Sequence, residues 1–242
     1  NVAADPLYTA AYTGVTGGMV IAVADDPGMH SSQNEQDSRH HAIASKVLMV
    51  EPSDSAECKD FVKESFELSE KYDTPVIVRL STRVSHSQSS VELCERENAE
   101  TKPYVKNPQK YVMMPAFAKA RHVFVEERTK KLIEYAETST LNKIELNGGK
   151  IGVITSGIAY QYAKEALGDD VSYLKLGVVN PLPVNLIKNF AEKFETIYVI
   201  EELDDIIETH CKKLGIKMMY LSTDYVFDGQ GTTPWEPDCK AY

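Results

Sequence analysis

The sequence contains few cysteines, and they are not clustered. Its four thiols lie far apart, at Cys58, Cys94, Cys211 and Cys239, and no C-x-x-C spacing occurs among the 242 residues. Structural zinc sites and iron–sulfur clusters of the usual kinds need closely spaced thiolates, so these residues predict neither. Scattered thiols in an acidic chain are typical of the reducing cytoplasm, and we expect a cytoplasmic protein.

Long apolar runs and basic tracts are also missing. No run approaches the ~20 apolar residues that a membrane-spanning helix requires, and the first residues do not follow the pattern of a signal peptide. The formal net charge of −10 disfavours binding to the phosphates of nucleic acids. A hydrophobic content of 43% predicts a folded globular chain, with neither a membrane nor a nucleic acid as partner.

Short apolar runs alternate with helical patterns along the chain. We expect strands at 20–24, 47–50, 76–80, 151–155, 171–176 and 196–200. Helices are expected between them, at 2–12, 54–72, 157–167, 184–194 and 203–214. This alternation predicts an α/β fold with mostly parallel sheets and right-handed crossovers.

The patterns divide residues 1–217 into three parts. Residues 1–94 form a first α/β domain, with a buried parallel strand at 20–24. Residues 95–146 are a charged linker followed by a long helix at 116–136, which we expect to be a solvated bridge. Residues 147–217 contain three strand–helix units, which are typical of a small doubly wound domain.

An unusual polar stretch follows the first strand. Asp25-Asp26-Pro27-Gly28 ends that strand with turn residues, and an unbroken polar run then leads to Arg39. Ligands of open α/β sheets bind beyond the carboxyl ends of the strands, but solvated polar loops are equally common. Both interpretations therefore stay open. The candidate contact residues are Ser31, Ser32, Gln33, Asn34, Asp37 and Arg39.

A second polar segment, residues 81–88, follows the third strand, and we expect it to be a loop that faces the first across a cleft. Arg79, Arg83 and His86 would present positive charge there to an anionic ligand. An exposed loop without a ligand explains these residues at least as well.

Two further features have simpler explanations than a site. The carboxylates at 201, 202, 204 and 205 resemble an acid–base group, but the helix dipole alone favours acids at a helix start, and we prefer that interpretation. Ser156-Gly157 opens a helix without a phosphate-binding glycine pattern, so close strand–helix packing explains it as well.

One stretch, ADDPGMHSSQNEQDSR, is more specific than any spacing. It lies between NVAADPLYTAAYTGVTGGMVIAV and LMVEPSDSAECKDFVKESFELSEKYDTPVIVRLSTRVSHSQ, and further along come GKIGVITSGIAYQYAKEALG and LGVVNPLPVNLIKNFAEKFETIYVIEELDDIIE. Residues 1 to about 217 resemble the α subunit of indolepyruvate:ferredoxin oxidoreductases, which are thiamine-diphosphate-dependent 2-oxoacid:ferredoxin oxidoreductases. The resemblance implies that residues 1–94 are part of a pyrimidine-binding domain and that residues 147–217 are a transketolase-C-terminal-like domain.

The resemblance also implies a reaction and its partners. In that family thiamine diphosphate with Mg²⁺ attacks an arylpyruvate, CO₂ leaves, electrons pass through [4Fe-4S] centres to ferredoxin, and coenzyme A takes the acyl group. A β subunit completes the enzyme. This sequence does not contain the family's activating glutamate, diphosphate-binding segment or ferredoxin-like cysteine clusters. We therefore expect no independent turnover from this chain, and expect its polar loops at most to line the cofactor or substrate cleft.

The last segment, MMYLSTDYVFDGQGTTPWEPDCKAY (residues 218–242), departs from this pattern. Its STDYVFDG run resembles dTDP-4-dehydrorhamnose reductase, an NADPH-dependent extended short-chain dehydrogenase, with Thr223 at the catalytic Ser/Thr position and Tyr225 beside it. The resemblance implies a chimera or misassembled reading frame joined near Lys217–Met218. We expect residues 218–221 to add a strand to the second sheet.

Two alternatives remain beside the oxidoreductase fragment. An NADPH-dependent reductase is supported by the tail alone, since the chain has no glycine-rich dinucleotide loop. A non-catalytic α/β interaction module would have a closed, self-sufficient first domain. An incomplete first sheet with an exposed apolar edge near Val20 or Val76 would favour the oxidoreductase fragment.

Overall fold

Two β-sheets flanked by helices make up the part of the chain that the structure, a computed structural model, describes: residues 2–30, 32–96 and 101–220. The strands are β1 (Val20–Asp25), β2 (Leu48–Val50), β3 (Val76–Ser81), β4 (Lys143–Glu145), β5 (Ile151–Ser156), β6 (Ser172–Leu176), β7 (Val178–Asn180), β8 (Thr196–Ile200) and β9 (Met218–Tyr220). The helices are α1 (Ala4–Thr13), α2 (Arg39–Ser45), α3 (Ser55–Tyr72), α4 (Thr82–His86), α5 (Pro108–Tyr111), α6 (Pro115–Thr138), α7 (Gly157–Leu167), α8 (Val184–Ala191) and α9 (Ile206–Lys213). The expected α/β fold with mostly parallel sheets is confirmed.

The first sheet has the order β1-β3-β2-β7. β3 lies in the middle and runs parallel to both neighbours, so that Val76 is opposite Val20 on one side and Leu48 on the other. β7 pairs antiparallel with β2, although it follows β6 of the second sheet in the chain. The stretch 147–217 thus contributes a strand to the first sheet as well as to the second. Strand periodicity does not reveal which sheet a strand joins. The proposed domain boundaries stay a prediction.

Strand β1 forms an edge of this sheet. Within the described residues it pairs with β3 alone. The expectation of a fully buried strand is wrong, because Ala22 and Ala24 are exposed and only Asp25 is buried. An exposed apolar edge near Val20 is the feature that separates an oxidoreductase fragment from a closed interaction module. It favours the fragment.

The core of the first sheet is completed by α3 and α6. Asp54 caps α3 by accepting a hydrogen bond from the backbone N–H of Glu57 at 2.9 Å, as the capping pattern predicts. α3 packs one face on the sheet, so that Phe61 is buried while Phe66 is 47% exposed. The solvated-bridge prediction for α6 is also wrong, because Leu132 and Ala136 are buried in the same core as Phe61.

The second sheet has the order β4-β6-β5-β8-β9 and is parallel except at β4. Its main core contains Ile154 and Leu174 from the strands and Phe190 from α8. β9 pairs parallel with β8, with Met218 opposite Ile197. The expected strand is therefore confirmed for 218–220, and residue 221 lies outside the described residues. Among the described helices, none combines the length and apolarity needed to cross a bilayer.

Replacing Leu132 with alanine tests the packing of α6. Leu132 is 1% exposed, so Leu132→Ala leaves a cavity and should lower the free energy of unfolding by about 2–4 kcal/mol in a urea titration. The matched control is Ile133→Ala, whose side chain is 39% exposed and whose cost should stay below about 1 kcal/mol. Equal effects of the two variants would show that α6 is a solvated bridge.

Candidate functional site

Polar side chains from both sheets meet at the carboxyl ends of their strands. Asp25 ends β1, Glu51 follows β2, and Glu201 and Glu202 follow β8. Because the ends of parallel strands share one edge of a sheet, these acids come together with two arginines in a buried ion cluster. The ion cluster consists of Asp25, Asp37, Arg39, Glu51, Arg79, Glu201 and Glu202.

Arg79 lies inside the first sheet and is 1% exposed. Its Nε donates a hydrogen bond to Asp25 at 2.6 Å, and its Nη1 donates to Glu51 at 2.5 Å. Two charge-assisted bonds of this kind hold the ends of β1, β2 and β3 together. The prediction that Arg79 presents its charge to a ligand is therefore wrong, because its charge is compensated inside the protein.

Arg39 connects the polar loop to the second sheet. Its Nε and Nη2 donate to the carboxylate of Asp37, and its Nη1 donates to Glu201 at 2.7 Å. Nη2 also donates to the carbonyl oxygens of Glu202 and Asp204, at 2.7 and 2.8 Å. Arg39 is 1% exposed and each of its guanidinium nitrogens donates to an acceptor of the protein, so its charge is compensated internally. Arg39 was expected to contact a ligand, but its position in the structure instead makes it a residue that holds the polar loop in place.

The polar loop is folded back on the strand that precedes it. Asp25 accepts hydrogen bonds from the backbone N–H of Ser38 at 2.8 Å and from its hydroxyl at 2.6 Å. Asp26 accepts from the hydroxyls of Ser32 and Thr82, and both bonds lower the pKa of Asp26. The two carboxylates that end β1 therefore fix both ends of the loop.

The predicted contact residues of this loop differ in exposure. Gln33 and Asn34 are exposed. Ser32 is half-buried and its hydroxyl donates to Asp26. The carboxylate of Asp37 is paired with Arg39. Ser31 lies outside the described residues, as do Thr223 and Tyr225 of the tail. Gln33 and Asn34 are thus the predicted side chains that remain available to a ligand.

The prediction of a second loop at residues 81–88 is wrong for most of its length, because Thr82–His86 forms the short helix α4. The buried Val84 holds this helix against the sheet, a signal too weak to read in a polar segment. Arg83 and His86 are exposed on it. The Thr82–Asp26 hydrogen bond of 2.5 Å brings the start of α4 against the first loop.

Glu202 is a buried carboxyl without a full set of partners, and sequence reasoning did not single it out alone. Burial and the neighbouring charge of Glu51 raise the pKa of Glu202 to about 7. Its Oε2 has no hydrogen-bond partner among the described residues, and neither do Nη2 of Arg79 and Oγ of Ser81. The signal in the sequence was an acid directly after a strand.

Two simpler interpretations hold in the structure. Glu201 accepts hydrogen bonds from the backbone N–H groups of Ile207 and Glu208 at 3.0 and 2.9 Å, so it does sit at a helix start. At the start of α7, a Cβ on Gly157 would lie 2.4 Å from Oε1 of Glu51, and φ is +50°. Glu51 occupies the space that a phosphate would need, so close packing explains this glycine.

An apolar cavity of about 460 Å³ and a larger one of about 620 Å³ are present in the described region. The larger cavity lies beside the polar loop. Leu7 of α1, Ile21 of β1 and Ile77 of β3 supply its apolar walls, and Asn34 and Asp37 form part of its rim. The polar loop therefore borders an apolar space of the size that small ligands occupy.

The charges and thiols of the described residues can be compared with the needs of a diphosphate, a metal ion and an iron–sulfur cluster. The ion cluster contains five carboxylates and two guanidiniums, so it repels a diphosphate and does not fit that group. One set of possible metal ligands occurs among the described residues, with ligand atoms within 4.8 Å of one another: Asp37, His40 and Asp204. These groups already have partners, because Asp37 is bonded to Arg39 and His40 to Asp204. None of the described thiols belongs to a metal-ligand group in this part of the chain, so they do not fit an iron–sulfur cluster.

The fold is shared with a solved 2-oxoglutarate:ferredoxin oxidoreductase from Magnetococcus marinus, described with 2-oxoglutarate, coenzyme A and succinyl-CoA bound. It superposes with a TM-score of 0.64 at 13% identity, covering 92% of this chain and 48% of that one. This likeness shows a shared α/β fold.

The sequence places the chain in a family. The model of the family "Pyruvate flavodoxin/ferredoxin oxidoreductase, thiamine diP-bdg" matches residues 18–146, which is more than half of the chain. The chain therefore belongs to this family of thiamine-diphosphate-binding domains. A second model, "RmlD substrate binding domain", matches residues 199–241. That match confirms the tail resemblance and begins upstream of the predicted join near Lys217.

The curated relatives are archaeal indolepyruvate oxidoreductase subunits named IorA. The protein of Archaeoglobus fulgidus is 41% identical over 226 residues, and that of Methanothermobacter marburgensis is 44% identical over 214. These matches cover 91% and 86% of this chain but only 36% and 35% of the relatives. The chain thus spans about a third of the length of the curated relatives it matches.

Removing Arg39 should destabilise the protein strongly. Arg39→Ala leaves Glu201 and Asp37 without their countercharge, and we expect the free energy of unfolding to fall by about 3–5 kcal/mol in urea. Arg83→Ala is the matched control, since Arg83 is exposed, and it should change stability by less than about 0.5 kcal/mol. A loss below 1 kcal/mol for Arg39→Ala, on the scale of a surface ion pair, would refute the bridging role.

Glu202 predicts an unusual pH dependence. The pKa of Glu202 is about 7 in the folded chain, above its ordinary value of 4.5. The folded state therefore loses free energy of unfolding as the pH rises from 4.5 to 7, and the loss is complete above pH 7, where the buried carboxyl is ionised. Glu202→Gln should therefore raise the free energy of unfolding at pH 8 by about 1–3 kcal/mol, with a difference that shrinks toward pH 4.5.

The control for this prediction is Glu165→Gln, which alters an exposed carboxylate on α7. Its unfolding free energy should follow that of the unaltered protein at each pH. A Glu202→Gln difference that does not change with pH would contradict burial as the cause.

Proposed function

We propose that this chain is part of the α subunit of an indolepyruvate-type 2-oxoacid:ferredoxin oxidoreductase, which decarboxylates arylpyruvates oxidatively to acyl-CoA. The observation that carries the proposal is identity above 40% to IorA subunits over most of the chain. We further propose a β subunit as partner, ferredoxin as electron acceptor, coenzyme A as acyl acceptor and the cytoplasm as location.

The polar loop is proposed to line the cofactor or substrate cleft. Gln33 and Asn34 present exposed amide groups, and Asn34 lies on the rim of the 620 Å³ cavity. An arylpyruvate combines an apolar ring with polar oxo and carboxylate groups, which is the combination that this border offers. Arg39 and Asp37 would hold the loop in place, while Arg83 and His86 are candidates at its outer side.

Thiamine diphosphate would supply the carbanion chemistry of this reaction. Since the ion cluster does not fit a diphosphate, we propose that residues other than these hold the diphosphate and its Mg²⁺, and likewise the [4Fe-4S] centres. We propose that the residues of this chain line the cofactor cleft beside the uncharged pyrimidine ring, which an acidic cluster does not repel.

The reductase alternative rests on the tail. The "RmlD substrate binding domain" match supports a reductase-like segment at 199–241, and Thr223 and Tyr225 are its proposed site residues. It overlaps the region that also resembles IorA, and a chimeric origin of the chain remains our hypothesis. Activity of an NADPH-dependent dTDP-4-dehydrorhamnose reductase is the less supported candidate, because the tail is its one support.

A graft tests the proposed function. Residues 1–217 of this chain would replace the matching segment of the Archaeoglobus fulgidus IorA subunit, which would then be purified with its partner subunit. We expect indolepyruvate-dependent ferredoxin reduction within about tenfold of the parent enzyme, because a tenfold loss is only about 1.4 kcal/mol of the barrier. The 242-residue chain alone should neither turn over arylpyruvates nor bind thiamine diphosphate at micromolar concentrations.

The graft carries its own controls. Asn34→Ala within it should raise KM for indolepyruvate several-fold, whereas Glu165→Gln should change neither KM nor kcat. An assembled graft that binds thiamine diphosphate but reduces no ferredoxin would refute the proposed reaction. Preference for 2-oxoglutarate or pyruvate over indolepyruvate would refute the proposed substrate class.

A further inference from the structure

Residues 101–125, which we call the basic segment, combine positive charge with exposed apolar side chains. The segment contains five lysines and arginines and no aspartate or glutamate, although the whole chain carries a net charge of −10. Its exposed apolar side chains include Tyr104, which is 84% exposed, and also Val105, Val112 and Met114. Groups of exposed apolar side chains usually mark surfaces that bind another protein.

Acids of this chain compensate only part of the charge on the basic segment. Lys106 and Lys119 are exposed and form no ion pair within the part of the chain that the structure describes. The three remaining cations share two carboxylates, in the pairs Lys102–Glu70, Lys110–Asp73 and Arg121–Asp73. The surface therefore stays positive and attracts an acidic partner.

A groove of about 690 Å³ lies between the basic segment and the turn that precedes β1. Val15, Tyr104 and Tyr111 supply its apolar walls, and the hydroxyl groups of Tyr111 and Thr16 share a hydrogen bond of 2.6 Å that fixes one wall. Lys102 also lines the groove. Such a groove fits apolar side chains of a partner whose surrounding charges are negative.

Apolar side chains and acids occur together at β4, the edge strand of the second sheet. Ile144 and Leu146 are 44% and 57% exposed there. The side-chain amide of Asn147 contacts the carboxylate of Asp169 at 3.5 Å, which places Asp169 and its neighbour Asp170 beside Leu146. Ile144, Leu146, Asp169 and Asp170 form a surface that we call the acidic face.

Negative charge prevails on the acidic face. Asp170 is exposed and forms no ion pair among the described residues. Lys164 is the shared partner of Asp169 and Glu145, with both distances 2.8 Å. The other lysines of this stretch of chain are paired with further acids, in the pairs Lys143–Glu57 and Lys150–Glu195. The acidic face therefore complements the basic segment in charge and matches it in apolar character.

We propose that the basic segment of one copy of this chain binds the acidic face of a second copy. Leu146 of one copy would enter the groove beside Tyr104 of the other, and burial of these apolar groups would supply most of the affinity. Asp170 would accept a charge-assisted hydrogen bond from Lys106 at the rim. Because each copy offers both surfaces, a two-fold dimer contains this contact twice.

Sedimentation velocity of the 242-residue chain at low salt tests this contact. We expect a reversible dimer with a Kd of about 10 μM or tighter, and a Kd about tenfold higher in 0.5 M NaCl, because salt screens the rim charges. Lys106→Glu and Tyr104→Ser should each raise the Kd about tenfold. The matched control is Lys188→Glu, which reverses an exposed lysine on α8 outside both surfaces and should change the Kd less than about twofold.

A charge exchange identifies the two surfaces that meet. Asp170→Lys alone should weaken the dimer as Lys106→Glu does, and the double variant should return the Kd to within about threefold of the unaltered chain, because the opposed charges are then exchanged. A double variant that stays weak would overturn the proposal, as would equal effects of Lys106→Glu and Lys188→Glu. A chain that is monomeric at about 100 μM would overturn it too, whether or not that monomer sediments with phosphatidylserine vesicles.

Discussion

The guanidinium of Arg39 is the contact on which the arrangement of this chain depends. It reaches from the start of α2 to the carboxylates of Asp37 and Glu201 and to two carbonyl oxygens beyond β8. A buried charge is tolerated only when its partners surround it. Arg39 therefore fixes the polar loop relative to the end of the second sheet, together with the His40–Asp204 contact of 2.6 Å.

The ion cluster around this contact has more acids than bases, and that imbalance has consequences. Arg79 satisfies Asp25 and Glu51, while Glu202 retains a raised pKa and an unpaired oxygen. The excess negative charge excludes a diphosphate from this side of the protein and is compatible with an uncharged ring. This imbalance agrees with the proposed role of the ion cluster as a wall beside the cofactor and not as its diphosphate site.

The outer edge of strand β1 is the feature of the fold that agrees with the longer chains of the relatives. Its outer edge is unpaired within the described residues, and the 620 Å³ cavity lies between it and α1. Edge strands of stable proteins are usually covered or protected by charge, whereas this one exposes Ala22 and Ala24. Both features agree with a chain that spans about a third of the IorA subunits.

Sequence alone determined most of the longer elements, the α/β class and the family, because strand and helix periodicities are local and ADDPGMHSSQNEQDSR is specific. It also placed Glu201 at a helix start, since that preference is local too. Only the tertiary structure decided that β7 joins the first sheet, that α6 is a core helix and that Arg39 and Arg79 face inward. These outcomes depend on partners far apart in the chain, such as Arg39 and Glu201, and no local pattern encodes which distant carboxylate a buried arginine will meet.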